Sequence, residues 1–330
     1  MSRSYVGIGA QLGVETTKGT ATAANKKLLG LTITPSPETE TSQFRPNGFT
    51  VPTVSQLVTE ATTADIEGPI DFRTLPYLYS SMFGAVTPTE VDEDAAYEWQ
   101  WDFVGKGELN PLSYTVEVGA AGSGNASRFT HGVVDSLSFD ISKNGENTFS
   151  GSMVGQQFTT ATTLTASPTE IDIMPVNGVM WDAYVDSTSI GLGTTKLQEL
   201  YSASLGFDGL FERAYTIDST KPSFSSLITA AEPDLSWTAT VGVDSTLNGY
   251  LTAARSGGKR FVRLKAVGAT IPDSTETFSL QIDMCVVVTG FGSLGESDGL
   301  YAADVDFALA YDPTWGKAMQ ITVVNDIAAL

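Results

Sequence analysis

Asp65 and Glu67, and again Asp304 and Asp306, stand two residues apart in segments where apolar and polar residues alternate. On a strand that spacing puts both carboxylates of a pair on one face. Two acids on one face suit a glycosidase or, with further oxygens, a calcium site. Asp140 and Asp283 lie on strands of the same alternating kind. These acids recur on polar strand faces without converging on one cleft signature, which weighs against catalysis. Other reactive side chains are scarce. His131 is the only histidine, and RFTHGVV around it has no nucleophile-elbow pattern. It is expected at a strand end on the surface. Cys285 is the only cysteine, so an intrachain disulfide is impossible, and its apolar run 282–288 makes it a small core or interface residue. Zinc would need more histidine or cysteine than this. GAAGSGN at 119–125 and GGKRF at 257–261 lack the full phosphate-loop pattern and read as turns. Asn125-Ala126-Ser127 matches a glycosylation sequon, but no apolar signal segment is seen at the start. No catalytic residue, metal site or cofactor is expected.

The elements that carry these residues come from periodicity. TTADIEGPIDFRTLPYLYSSMFG at 62–84 and LSWTATVGVDSTLNGYLTAARSG at 235–257 each begin with period two and then change to helical spacing. Leu75, Leu78, Tyr79 and Met82 form one apolar stripe; Leu247, Tyr250, Leu251 and Ala254 form the other. Thr74 and Thr246 are hydroxyl N-cap candidates, Pro76 fits the first turn, and Gly84 and Gly257 are the stop signals. A strand ending in a capped helix, twice, suggests an internal duplication. Alternating strands also follow at 97–103, 112–118, 137–141, 149–153, 203–207, 262–266, 278–286, 303–311 and 319–323, with Lys143-Asn144-Gly145-Glu146 as a hairpin turn. Residues 1–27 read as a polar arm, 38–60 as a long loop or loose hairpin, and the Thr/Ala-rich 159–170 as a boundary. Lys196-Leu197 echoes Lys27-Leu28. The expected fold is mainly β (α+β), two tandem sandwich units with one short helix each.

Composition sets limits. With 42% apolar and 17% charged residues the chain can bury a large core, and no apolar run is long enough for a membrane helix. The formal charge is −20. A protein that grips DNA by its phosphates is basic, so this surface repels DNA. Such a charge serves solubility, or a surface that lies near nucleic acid without sticking to it.

Four stretches together resemble one family. They are GIGAQLGVETTKGTATAANKKLLGLTI, the Gly48-containing loop with the 62–84 module, VVDSLSFDISKNGENTFSGSMVGQQF, and the series LYSASLGF, LSWTATVGVDSTLNGYLTAARSGG and FVRLKAVG. They resemble the major tail tube proteins of long-tailed, mostly non-contractile, bacteriophages. The resemblance is one of layout and covers nearly the whole chain. It implies β-sandwiches packed on a helix, inner sheets closing into an oligomeric β-barrel, rings stacking into a tube, and DNA passing down the lumen. It implies a virion protein assembled in the host cytoplasm, with a tape-measure protein, tail terminator and initiator proteins as partners, and no membrane. The duplication suggests residues 1–27 as arm, 28–160 as first tube domain, 161–196 as linker and lead-in, and 197–330 as second tube domain. Three chains would then give a pseudo-sixfold ring; a true hexamer is the alternative. At four wall strands per domain, 24 strands make a barrel at least about 37 Å across. Asp65, Glu67, Asp140, Asp283, Asp304 and Asp306 are the candidates for lining it. The arm, the 38–60 loop and residues 159–196 are candidate contacts between rings. Two other classes compete. A carbohydrate-binding or adhesion module would use Tyr97, Trp99 and Trp101 as a platform, and a capsid-decorating virion protein would attach to a preformed shell.

Overall fold

The computed structural model describes residues 9–93, 95–143, 145–218, 222–243, 245–297 and 299–330. The first half contains β1 (Gly9–Val14), β2 (Lys26–Leu28), β3 (Thr32–Phe44), β4 (Val54–Pro69), α1 (Leu75–Phe83), β5 (Thr89–Asp92), β6 (Ala96–Phe103), β7 (Tyr114–Gly119), β8 (Ala126–Ser142), β9 (Thr148–Gly155), β10 (Thr159–Thr162) and β11 (Thr169–Ile171). The second contains β12 (Trp181–Asp186), β13 (Leu200–Asp208), β14 (Phe211–Ala214), β15 (Ser226–Thr229), β16 (Asp234–Gly242), α2 (Ser245–Ser256), β17 (Lys259–Thr270), β18 (Thr277–Phe291), β19 (Gly295–Ser297), β20 (Leu300–Leu309) and β21 (Met319–Asn325).

One long sheet runs through both halves. β3, β4, β9, the later part of β8, β13, β16, β20 and the end of β18 hydrogen-bond side by side in that order. Each half supplies four strands, and the two sets meet where β8 pairs β13, from Leu137↔Phe207 to Ser142↔Ser202. Two outer sheets pack against it. One is ordered β11, β2, β1, β7, early β8, β10. The other is ordered β12, β17, early β18, β21, β6, β5. The chain is thus a β-sandwich, and its long sheet is open in the monomer. β8 and β18 each pass from an outer sheet into the long one, and each has a bulge on the way, between Val134 and Ser136 and between Val288 and Gly290. The extra residue bends the strand, which lets it turn the corner.

The duplication seen in the sequence is also a duplication of pairings. β1 pairs β7 as β12 pairs β17, and Lys26 bridges Leu12 as Lys196 bridges Tyr184. Buried carboxylates organise both lead-in loops. Glu15, just after β1, accepts N–H groups from Gly19 (2.7 Å) and His131 (2.9 Å) and hydroxyls from Ser113 (2.7 Å) and Thr115 (3.1 Å). Asp186, ending β12, accepts the N–H groups of Gly193, Thr194 and Thr195 at 3.0, 3.2 and 3.1 Å. These bonds satisfy loop donors that would otherwise be buried alone.

α1 lies between the sheets, with the Tyr79 ring 5.5 Å from Trp101 on β6 and 6.0 Å from Phe139 on β8. Every residue from Leu75 to Met82 is buried, so its apolar stripe is only part of what it hides. Pro76 sits in the first turn, and Gly84 ends the helix at φ 112° while donating to Ser80 O (3.0 Å). Thr74 does not cap: its hydroxyl donates to Asp71 (2.6 Å), whose other oxygen accepts from Met174 N–H (2.8 Å). α2 buries Leu247, Tyr250 and Ala253, so the stripe centres on Ala253 and not on Ala254. The side chain of Thr246 and residue Asp244 lie outside the described residues, as does Asn144 of the Lys143–Glu146 turn.

Two stretches differ from the expectation, and in a third, 38–60, the hairpin alternative is the one found. From Gly9 the arm is part of an outer sheet, with Leu12 and Ala24 buried; residues 1–8 lie outside the described residues. Residues 38–60 form the far end of the β3–β4 hairpin, paired out to Phe44↔Val54. The Thr-rich 159–170 stretch supplies two short strands, one of them parallel to β2. Backbone pairing, which periodicity does not reveal in polar sequence, decides all three.

Leu205 is fully buried where the halves join, opposite Phe139 on β8 and Trp237 on β16. Leu205→Ala is expected to cost roughly 2–5 kcal/mol in denaturant unfolding. A loss below about 1 kcal/mol would show that the two halves do not share a packed junction.

Candidate functional site

The long sheet buries one face in the core; the other is polar throughout. In register across it run Asp140, Ser204, Thr238 and Asp306, and beside them Ser142, Ser202, Thr240 and Asp304. A further line holds Glu67, Ser150, Ser138, Gly206 and Ser236. Hydroxyls tie the lines together. Thr238 donates to Asp306 (2.9 Å), Thr240 to Asp304 (2.7 Å) and Ser202 to Thr240 (2.9 Å), and the Ser136 and Ser152 hydroxyls share a 2.8 Å bond. Asp65, Glu67, Asp140, Asp304 and Asp306 are all exposed on this face. Asp208 and Asp234, an exposed pair directly opposite one another, add to the acids singled out from the sequence. Their signal was legible: each falls at the end of an alternating strand.

The strands of the face bring no positive charge to these acids; the cation described against it is Arg213 of β14, which pairs with Glu38 of β3 at 2.7 Å. The eight strands contain no lysine and a single arginine, Arg128, in the part of β8 that belongs to an outer sheet. The face is also open. The Asp65/Glu67 and Asp304/Asp306 pairs are five strand spacings apart, about 24 Å, too far to act on one bond or hold one ion. No group of three or more His, Cys, Asp or Glu among the described residues is placed to hold a metal.

Asp283 does not belong with the others. It is 2% exposed and takes a bidentate ion pair from Arg263 (2.7 and 2.8 Å), with Gln281 donating at 2.9 Å. It lies in the outer-sheet part of β18, before the bulge that shifts the strand's phase. His131 is likewise not a surface residue. It is buried, sits at φ 53° and packs its ring 5.2 Å from Phe224 at a tilt of 59°. Burial, and secondarily the charge of Lys18, push its pKa down to about 4. Cys285 is buried in the core, and desolvation pushes its thiol up to about 11. Trp99 and Trp101 are buried too, donating to Asn325 and Ile327 and to Gly84 respectively. That removes the aromatic platform a glycan-binding surface would need.

What the residues build is an open sandwich with one acidic, hydroxyl-rich sheet face. The family model described as phage tail tube protein matches residues 2–307, and the chain belongs to that family. It is a component of the virion's tail. Among curated proteins no match is found. No helix among the described residues is long and apolar enough to cross a membrane.

Removing a carboxylate should have opposite consequences on the two sides of the sandwich. Asp283→Asn, which strands the Arg263 charge, is expected to destabilise the fold by about 3–5 kcal/mol. Asp304→Asn or Asp306→Asn should change stability by no more than about 0.5 kcal/mol each. Equal losses in denaturant melts would contradict the assignment of faces. His131 gives a pH signature. Unfolded, it titrates near 6.5; folded, near 4. Between those values only the unfolded chain binds the proton, so the contribution of neutral His131 is complete above about pH 6.5 and is lost as pH falls towards 4. His131→Asn should flatten that part of the stability–pH curve, and an unchanged slope would contradict the burial.

Proposed function

We propose that the chain polymerises into stacked rings forming the wall of the tail tube, three chains to a ring, with the acidic face of the long sheet lining a conduit for double-stranded DNA. The carrying observation is the charge on that face: Asp65, Glu67, Asp140, Asp208, Asp234, Asp304 and Asp306 exposed with hydroxyls between them, no lysine or arginine from the strands of the face, and Arg213 paired only with Glu38 towards the β3 edge. A trimeric ring would carry −60, three times the chain's −20. DNA carries one charge per about 1.7 Å of its axis. A surrounding acidic wall pushes it from every side towards the centre, and hydroxyls bonded to carboxylates leave few donors to catch a phosphate.

Strand number supports three chains. Each chain offers eight strands in one sheet, so three give 24 and a barrel at least about 37 Å across before tilt widens it. Six chains would give 48 strands and at least about 73 Å, far wider than a duplex needs. On this reading the two sets of four strands are two tube domains, divided within residues 161–196. The β3–β4 hairpin beyond Glu38, with Phe44, Phe49, Val51, Val54 and Leu57 exposed, is the best contact with the next ring. Its apolar tip would lose water on stacking. Tape-measure, terminator and initiator proteins are the expected partners at the lumen and the tube ends.

The test is a neutralised face: Asp65→Asn, Glu67→Gln, Asp140→Asn, Asp304→Asn and Asp306→Asn combined. Tubes of unchanged width are expected in electron micrographs, while virions carrying them eject DNA several-fold more slowly at low salt than at high salt. Ejection that is indifferent to the substitutions at every salt would overturn a lumenal role for these acids.

A further inference from the structure

Among the described residues the long sheet has two unpaired edges, and the chain contains a template for joining them. Inside the chain, the end of β8 pairs with β13. The bulges align the halves: Val134 and Ser136 correspond to Val288 and Gly290, and the partners Met153 and Ser152 to Phe307 and Asp306. Through the same ladder Pro35, opposite Ala64, corresponds to Leu205, opposite Trp237. β3 is therefore the counterpart of β13, and the end of β18 the counterpart of the end of β8.

That end is available. Past Phe291 the chain stays on β20, through the Gly292 N–H to Asp304 O bond (2.8 Å) and then through β19. On its other side β17 stops pairing at Val287, and no strand among the described residues takes over. Among the described residues β3 pairs with β4 alone. We propose that neighbouring copies of this chain join by adding β3 of one to the free edge at the end of β18 in the next, in the register of the internal joint, so that Ser36 stands opposite Gly292. The register follows from Gly206↔Ser138 within the chain. It keeps both positions on the polar face, as the tube reading on which this rests requires.

The copy of the joint is weaker than the original. Pro35 and Pro37 replace the counterparts of Leu205 and Phe207 and offer no N–H to a partner strand. The outer layer is also missing. Within the chain the β5–β6 hairpin leaves the first half and pairs with β21 of the second, covering α1 on the way. α2 instead runs through Gly257 and Gly258 straight into β17, with no such hairpin. The joint inside the chain thus has two layers and the joint between copies one, so a ring opens between chains. The prolines also make the free edge of an unassembled chain a poor template for indiscriminate strand addition.

The full-length Ser36→Cys/Gly292→Cys variant, assembled under reducing conditions and then oxidised, tests the register, since opposed strand positions lie within reach of a disulfide. A denaturing gel without reductant should show a closed product of three times the 34.9 kDa chain, lost on reduction. The Ser36→Cys/Ser293→Cys control, pointing to opposite faces, should stay at chain mass. Should the double variant fail to assemble, an equal mixture of the two single variants should give a cross-linked dimer in its place. Tubes in micrographs without the Ser36–Gly292 cross-link, or with the control cross-linked instead, overturn the joint and leave the tube reading intact. A product of six chains keeps the joint and overturns the three-chain ring. Absence of any ring or tube from the unmodified chain overturns the tube reading, and the joint with it.

Discussion

An open β-sheet cannot stop without leaving a row of backbone donors and acceptors unpaired, and the architecture follows from how this chain handles that row. The end of the first half's sheet is satisfied by the start of the second, at β8 and β13. Duplication therefore moves the problem outward without solving it, because the outermost edges of the eight-stranded sheet remain open. Prolines in β3 discourage casual partners, and the proposed closure of a ring would remove the edge altogether. The core depends on the same arrangement. Phe83 packs 5.8 Å from both Phe103 and Phe207, so α1 is held by elements of both halves.

The second constraint is electrostatic. Basic residues are placed off the long sheet, on outer strands and loops, as with Arg263 against Asp283, Lys317 against Asp102 and Arg73 against Asp326. On the polar face carboxylates are instead bonded to threonines. Exposed acids among hydroxyls keep their hydration and cost little stability, whereas Asp283, removed from water, needs its arginine. The acids of this face thus stay in water and add no unpaired charge inside the fold.

Much of this was legible in the sequence where alternation was strong. The two strand–helix modules are found as β4–α1 and β16–α2, and Asp65, Glu67, Asp140, Asp304 and Asp306 do stand on one exposed sheet face; the echo of Lys27-Leu28 in Lys196-Leu197 is one residue out, since Lys26 is the residue paired as Lys196 is. Asp283 misled because a bulge resets strand phase, and the bulge leaves no mark in composition. His131 misled because its burial depends on Phe224, far away in sequence, and on the loop held by Glu15. The polar segments 9–27 and 159–170 looked unstructured because their order comes from backbone pairing and buried carboxylates, neither of which has a hydrophobic period. Joining of the halves through β8 and β13 could not be read at all, since edge pairing is indifferent to side-chain type.

The central claim is that three chains close one 24-stranded barrel with the acidic face inward. A cryo-electron microscopy reconstruction of tubes assembled from the unmodified chain tests it most directly. The account predicts three chains per ring, with the side chains of Asp65, Glu67, Asp140, Asp304 and Asp306 pointing into the lumen and those of Arg263 and Asp283 within the wall. Six chains per ring, or an acidic face turned outward, would contradict it.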